Sequence, residues 1–302
     1  MKKKLAKCLS FLALFFMMGS QMALAKSDKG LLILAHGSHS KYWNEEVGKL
    51  ETQVASQLDK NAFSHVRVAF MEMAKPTIAD VIRDLEKDGV QIVFALPLFI
   101  ASSGHSLFDI PAILGLYSEP GLLHDLDKEG IEIVEARMKI VLGPTLNFSD
   151  LMQSIMADRV RALSENPGSE GLVVLAHGSP EFEPIWYSIC QKVAAAVCAE
   201  TAIPQFEIAM VEVGQSFHTE GIPAILNMAG ECDRTIVAGL YLSLSSQTIA
   251  TRYLKKNGMS DDWFADKNIV FTDKALLPDS RMANWIIESA MAWSQSQNGQ
   301  IR

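Results

Sequence analysis

The run LLILAHGSHS at residues 31–40 returns as GLVVLAHGSP at 171–180, so that LAHGS recurs 141 residues later in a chain of 302. Other landmarks keep nearly the same spacing. Glu72 in FMEM maps to Glu212 in MVEV at an offset of 140, and Pro97-Leu98-Phe99 maps to Gly239-Leu240-Tyr241 at 142. A drift of only one or two residues identifies a duplicated unit, and the length suits two units of moderate size.

Each repeat alternates short apolar runs with longer amphipathic ones. Leu31 to Ala35 is continuously apolar, as expected of a strand buried on both faces. Helical spacing follows over 44–58, with Val47, Leu50, Val54 and Leu58 on one stripe. Further strands are predicted at 65–70, 90–99 and 131–135, with a helix at 77–88 that Thr77 caps and a helix at 147–163 that closes the half. The second half predicts strands at 172–176, 205–211, 234–241 and 268–272 and a closing helix at 282–294. Residues 164–169, SENPGS, read as the linker. Strands alternating with helices point to an α/β fold of two tandem similar domains, over 26–163 and 170–302, each a mainly parallel sheet flanked by helices.

The first 25 residues stand outside the repeat. Lys2, Lys3, Lys4 and Lys7 precede an apolar run from Leu9 to Met18, and Ala23-Leu24-Ala25 offers a small-x-small cleavage site. That is the layout of a secretory signal peptide, with an apolar run too short to span a bilayer comfortably. The expectation is a periplasmic protein beginning at Lys26, with no stable membrane insertion after cleavage; an uncleaved anchor is the alternative. The segment holds 4 of the 27 basic residues and none of the 35 acidic ones, so the net charge moves from −8 to −12. Nothing in that balance suggests a nucleic-acid partner. Cys190, Cys198 and Cys232 would meet an oxidising compartment, where a disulfide is open to them, but Cys190 and Cys198 lie too far apart along one helix to bridge each other. Buried free thiols are the simpler reading.

Three polar residues sit where predicted strands end. His36 follows the first strand, Glu72 the second, and His105 the third after Ser102-Ser103-Gly104. Ligands of open parallel sheets bind outside the carboxyl ends of the strands. Two imidazoles and a carboxylate suit a borderline divalent metal such as cobalt, iron, nickel or zinc. The second half keeps His177 and Glu212, but the offset of 142 puts Gln247 opposite His105, and an amide is a weak ligand and no base near neutral pH. The first half therefore carries the complete set, with His177 a retained scaffold residue. His39 is an optional ligand, while His65, His124 and His218 read as ordinary surface or structural residues.

The strings LLILAHGSHSKYWNEEV, VAFMEMAKPTIADVI, VFALPLFIASSGHSLFDIP and VLGPTLNFSDLM resemble the class II tetrapyrrole chelatases, the sirohydrochlorin cobaltochelatase and ferrochelatase family. The resemblance covers most of residues 31–160 and, more weakly, 170–302, as in long members with two such halves. It implies two α/β domains facing each other across a cleft and insertion of a divalent metal, cobalt first and iron or nickel next, into a macrocycle, with no organic cofactor. It places the active-site histidines at His36 and His105, with Glu72 as helper carboxylate. The substrate's many carboxylates need local donors, for which Ser102, Ser103 and Gly104 and helix N-termini are the candidates. An oligomer is open. Export sits awkwardly with a tetrapyrrole enzyme, which leaves two other readings: an exported metal- or haem-binding carrier without turnover, and a degenerate partner subunit.

Overall fold

The computed structural model describes residues 28–299. The proposed signal segment and the Lys26 start lie outside them.

Two four-stranded parallel sheets form, ordered β2-β1-β3-β4 and β6-β5-β7-β8. The first half runs β1 (Lys29–Ala35), α1 (Lys41–Ala55), β2 (His65–Phe70), α2 (Ile78–Lys87), β3 (Ile92–Pro97), α3 (Ile110–Ile113), α4 (Pro120–Lys128), β4 (Lys139–Leu142) and α5 (Leu151–Arg161). The second runs β5 (Glu170–Ala176), α6 (Glu183–Thr201), β6 (Gln205–Met210), α7 (Gly221–Glu231), β7 (Arg234–Leu240), α8 (Ser246–Lys256), β8 (Ile269–Phe271) and α9 (Ser280–Gly299). The repeat read from the sequence is thus a repeat of sheet topology. Thr77 caps α2 in a reciprocal capping box with Asp80. In the linker, Ser164 and the N–H groups of Glu165 and Asn166 donate to the buried Glu170 carboxylate at 2.6 to 2.9 Å.

Both faces of each sheet are covered, which is why β1 and β5 are apolar throughout. Leu32 and Leu34 of β1 point to an outer layer that includes α2 and α3, whereas Leu31, Ile33 and Ala35 point inward. In the second half Val173 and Leu175 face an outer layer with α7 and α8. The inward faces of both sheets share one continuous core with α1, α5, α6 and α9.

Two expectations need correction. The fourth strand of the first sheet is Lys139–Leu142, not 131–135. The earlier apolar stretch packs Ile131, Ile133 and Val134 against the outer core, and the Val134 N–H donates to the Ile113 carbonyl instead of a ladder partner. Neither closing helix packs mainly on its own half. α5 lies against α6 and β7, and α9 lies against α1 and β3. From α9, Trp293 stacks on Phe94 of β3 with centroids 4.9 Å apart and planes 10° apart. Lys29 Nζ donates to Ser294 Oγ at 3.2 Å. From α5, Arg159 donates to the carbonyls of Ala275 at 3.3 Å and Pro278 at 2.9 Å. Cys190 and Cys198 are buried free thiols and Cys232 is a half-buried one. Burial pushes the Cys190 thiol up to about 12 and that of Cys198 up to about 11, which keeps both protonated and poorly reactive.

Because α9 covers the first sheet, Trp293→Ala should destabilise a half to which it does not belong in sequence. We expect a loss of about 3 kcal/mol, the lower end for removing a packed aromatic ring. Urea unfolding followed by hydrogen exchange at β1 and β3 checks it: their amides should lose protection together with α9.

Candidate active site

In each sheet the chain leaves β1 or β5 toward one side and returns to place the third strand on the other side. The crevice at that reversal opens at the carboxyl edge. In the first half it is flanked by His36, directly after β1, and by His105, beyond β3. The Glu72 N–H donates to the His36 carbonyl at 2.9 Å, which brings its side chain alongside. Gly37 has φ +97°, and a Cβ there would lie 1.9 Å from the Glu72 carbonyl oxygen. The glycine after the histidine is therefore required for Glu72 to approach. Gly178 repeats the geometry with φ +76° beside Met210.

The structure brings His36, Glu72 and His105 together. His36 Nε2 lies 3.3 Å from Glu72 Oε1, and the two imidazole centroids are 4.8 Å apart at 74°. His36 Nδ1 lies 3.0 Å from the Gly37 carbonyl, to which it donates as Nδ1–H. That tautomer leaves Nε2 with a lone pair facing a carboxylate, an arrangement that calls for a proton or a metal ion between them. Burial pushes His36 down from the ordinary histidine value; the Gly37 carbonyl and Glu72 pull the other way, and His105 and His177 add to the depression. His36 is thus a neutral imidazole near pH 7.

His105 opens one wide turn of π-helix, His105–Asp109, that runs into α3. This turn sets Asp109 Oδ2 at 2.6 Å from His105 Nδ1. The hydrogen bond to Asp109 pushes His105 above the ordinary value, against the effect of burial. A carboxylate that fixes one nitrogen also orients the other and raises its basicity. Asp109 went unassigned in the sequence, although its spacing of four after His105 was a legible signal. Glu72 pairs with His36 rather than with His105.

His36, His39, His105 and Asp109 line one side of a cleft of about 1210 Å³, and His177, Glu212, Ser245, Thr248 and Arg252 line the other. That exceeds the 300–1,000 Å³ common for drug-sized ligands. His177 Nδ1 lies 2.7 Å from the Gly178 carbonyl, as His36 does from Gly37, but its ring neighbour is Trp186, centroids 6.1 Å apart. Of the proposed substrate donors, Ser103 and Gly104 line the cleft and Ser102 does not. The Ser103 N–H donates to Ser106 Oγ at 2.9 Å, so what Ser103 has left to offer is its buried hydroxyl, which has no partner among the described residues. Gln247, placed opposite His105 by sequence offset, is exposed and outside the cleft lining. Here α8 is regular where the first half has a π turn, so the helical register turns Ser245 and Thr248 inward, hydrogen-bonded at 2.8 Å. His65 pairs with Asp88 at 3.4 Å and His218 with the Tyr253 hydroxyl at 2.9 Å, and neither lines the cleft. Among the described residues no group of three or more His, Cys, Asp or Glu is arranged to hold a metal ion, and no helix is long and apolar enough to cross a membrane.

Residues 30–163 match the CbiX family model. The chain is similar to the sirohydrochlorin cobaltochelatase of Methanococcus aeolicus, 35% identical over 88 residues that cover 29% of this chain but only 59% of that one. It is also similar to that of Methanococcoides burtonii, 29% identical over 131 residues, 43% of this chain and 92% of that one. In solved structures the two-sheet fold recurs in the sirohydrochlorin chelatase SirB from Bacillus subtilis subspecies spizizenii, in complex with cobalt. That match has a TM-score of 0.61, 14% identity and coverage of 90% and 98% of the two chains. The CbiX described as terminal enzyme for siroheme biosynthesis in denitrifying bacteria matches at a TM-score of 0.54 with 17% identity, over 87% and 98%.

Since the hydrogen bond to Asp109 strengthens proton binding at His105, Asp109→Asn should let that proton go at lower pH. The Cε1–H resonance of His105, followed by NMR across pH 4 to 9, should titrate at lower pH than in the wild type, as expected when a charged neighbour is lost. His36, held mainly by burial, should move little.

Proposed function

We propose that this chain, whose residues 30–163 match the CbiX family model, is a class II chelatase and inserts a divalent metal into sirohydrochlorin or a related tetrapyrrole. The observation that carries this reading is the lone-pair contact between His36 Nε2 and Glu72 Oε1, 3.3 Å apart, with Glu72 behind the wall of a cleft wide enough for a macrocycle and His36 beside a second imidazole in that wall. Insertion exchanges the metal's water ligands for four pyrrole nitrogens and releases two N–H protons. His36, kept neutral by burial, presents the metal together with Glu72. His105, more basic through Asp109, takes the two pyrrole protons in turn and passes each to solvent at the cleft mouth. Imidazole and carboxylate donors suit a borderline divalent metal; among these we put cobalt first on the strength of the relatives' names, with iron and nickel as further substrates. The relatives' names carry cobalt, and SirB of Bacillus subtilis has been solved with cobalt and with Fe3+.

The two halves are unequal in this chemistry. His36→Ala and His105→Ala should each lower the rate of cobalt insertion by at least about a hundredfold, the lower range for removing an acid–base group. His177→Ala should cost much less, since its ring lies beside Trp186 and, among the described residues, the second half has no counterpart of the paired His105 and Asp109. The measurement is the growth of the metallated macrocycle's absorption at excess substrate. Many turnovers per chain mark an enzyme, whereas one equivalent and no more would mark a metal or haem carrier. Loss of activity in His177→Ala with His36→Ala intact would reverse the assignment of the halves.

We also propose that the protein acts in the periplasm after cleavage before Lys26, on the strength of the basic, apolar and Ala-Leu-Ala order of residues 1–25. Mass spectrometry of the exported chain should find Lys26 at the N-terminus; an intact Met1, or protein retained in membranes after a carbonate wash, would refute it.

A further inference from the structure

Among the described residues that line the cleft, the lysine and arginine side chains are Arg252 and Lys274, both in the second half. Both are exposed, and no hydrogen bond or ion pair ties either to the rest of the protein. This sets them apart from Arg83, Arg159, Arg234 and Arg281, each of which meets a carboxylate. Their placement is structural. Ser245 caps α8 and accepts from the Thr248 N–H at 3.1 Å, so Ser245, Thr248 and Arg252 repeat along one face of that helix. Lys274 follows β8 at the same carboxyl edge of the sheet. The first-half wall offers histidines and no lysine or arginine.

We infer that the second half has become the recognition wall for the acidic rim of the macrocycle, with Arg252 and Lys274 binding its peripheral carboxylates. This rests on the chelatase reading and names the substrate class, a polycarboxylate tetrapyrrole. A planar guanidinium takes a carboxylate through two parallel N–H bonds, and an ammonium takes another as a point charge. In a chain of net charge −8, an acidic ligand would be repelled from most of the surface; the same wall also carries Glu181, Glu183, Glu212 and Asp273, so the attraction is local to the two unpaired cations and fixes where the ligand's carboxylates sit. Holding the rim on the second wall turns the ring toward His36 and His105 on the first. The duplicated unit thereby divides the work: one edge handles metal and proton, the other handles the ligand's charge.

The test uses the whole chain without metal, with sirohydrochlorin as the probe, followed by its absorption change on binding at low and at high salt. Cobalt insertion is measured on the same samples. Arg252→Gln and Lys274→Gln should each weaken binding about tenfold and the double variant about a hundredfold, the scale of one charged hydrogen bond lost each time. KM should rise with kcat nearly unchanged, and Arg252→Lys should recover part of the loss. Salt should weaken the wild type more than the double variant. Both side chains are exposed, so melting temperatures should match. A double variant that binds as tightly as wild type overturns the inference while leaving the chelatase reading intact. A wild type that binds sirohydrochlorin, with the predicted losses in the variants, but never metallates it supports the recognition wall and overturns the chelatase reading. A wild type that binds none overturns both.

Discussion

Each parallel sheet must bury both of its faces, and here neither half does so with its own closing helix. α9 lays Trp293 on Phe94 of the first sheet, and α5 packs on α6 and β7 of the second. Exchanging the two helices merges the inward faces into one core. Separating the halves would uncover apolar surface on both, at about 25 cal/mol for each Å² exposed. Arg159 and Arg281 add directional ties, the first to carbonyls near β8 and the second to Asp158 at 2.8 Å. The relative position of the two carboxyl edges, and so the cleft itself, follows from this exchange.

With the edges held opposite one another, divergence between copies becomes chemistry. Both retain a histidine whose Nδ1 donates to the next carbonyl and a glycine that admits a close neighbour. The first adds a second imidazole on a π turn, braced by Asp109, whereas the second continues as a regular helix with hydroxyls and Arg252 facing inward. A change of helical register after the third strand is enough to replace an imidazole with two hydroxyls and an arginine. His36 is depressed partly by His177, so the retained second histidine still acts on the first across the gap.

Much of this was legible in the chain. Continuous apolar runs gave strands β1 and β5, because strands covered on both faces carry no polar alternation. The constant offset announced the duplicated topology, and residues at strand ends converged as a parallel sheet demands. The failures have physical causes. Residues 131–135 are apolar enough for a strand, yet they cover a sheet face, and hydrophobicity does not distinguish covering a sheet from joining it. Gln247 was matched to His105 by counting, but counting assumes the same helix geometry in both copies, and a π turn in one shifts which side chains face the ligand. Asp109 was part of the quoted motif, and only that wide turn showed it braced against His105.

The sequence by itself determined the two repeated units, their strand order along the chain and the three residues His36, Glu72 and His105, because these depend on local pattern and on the rule that parallel strands end together. The tertiary structure alone decided which half each closing helix covers, since the contact between Lys29 and Ser294 joins residues 265 apart and no local propensity encodes it. It alone also decided that Arg252 and Lys274 look into the same space as the histidines. The face a side chain presents depends on helix register, and the space it meets depends on packing between halves, and neither is set until the whole chain has closed.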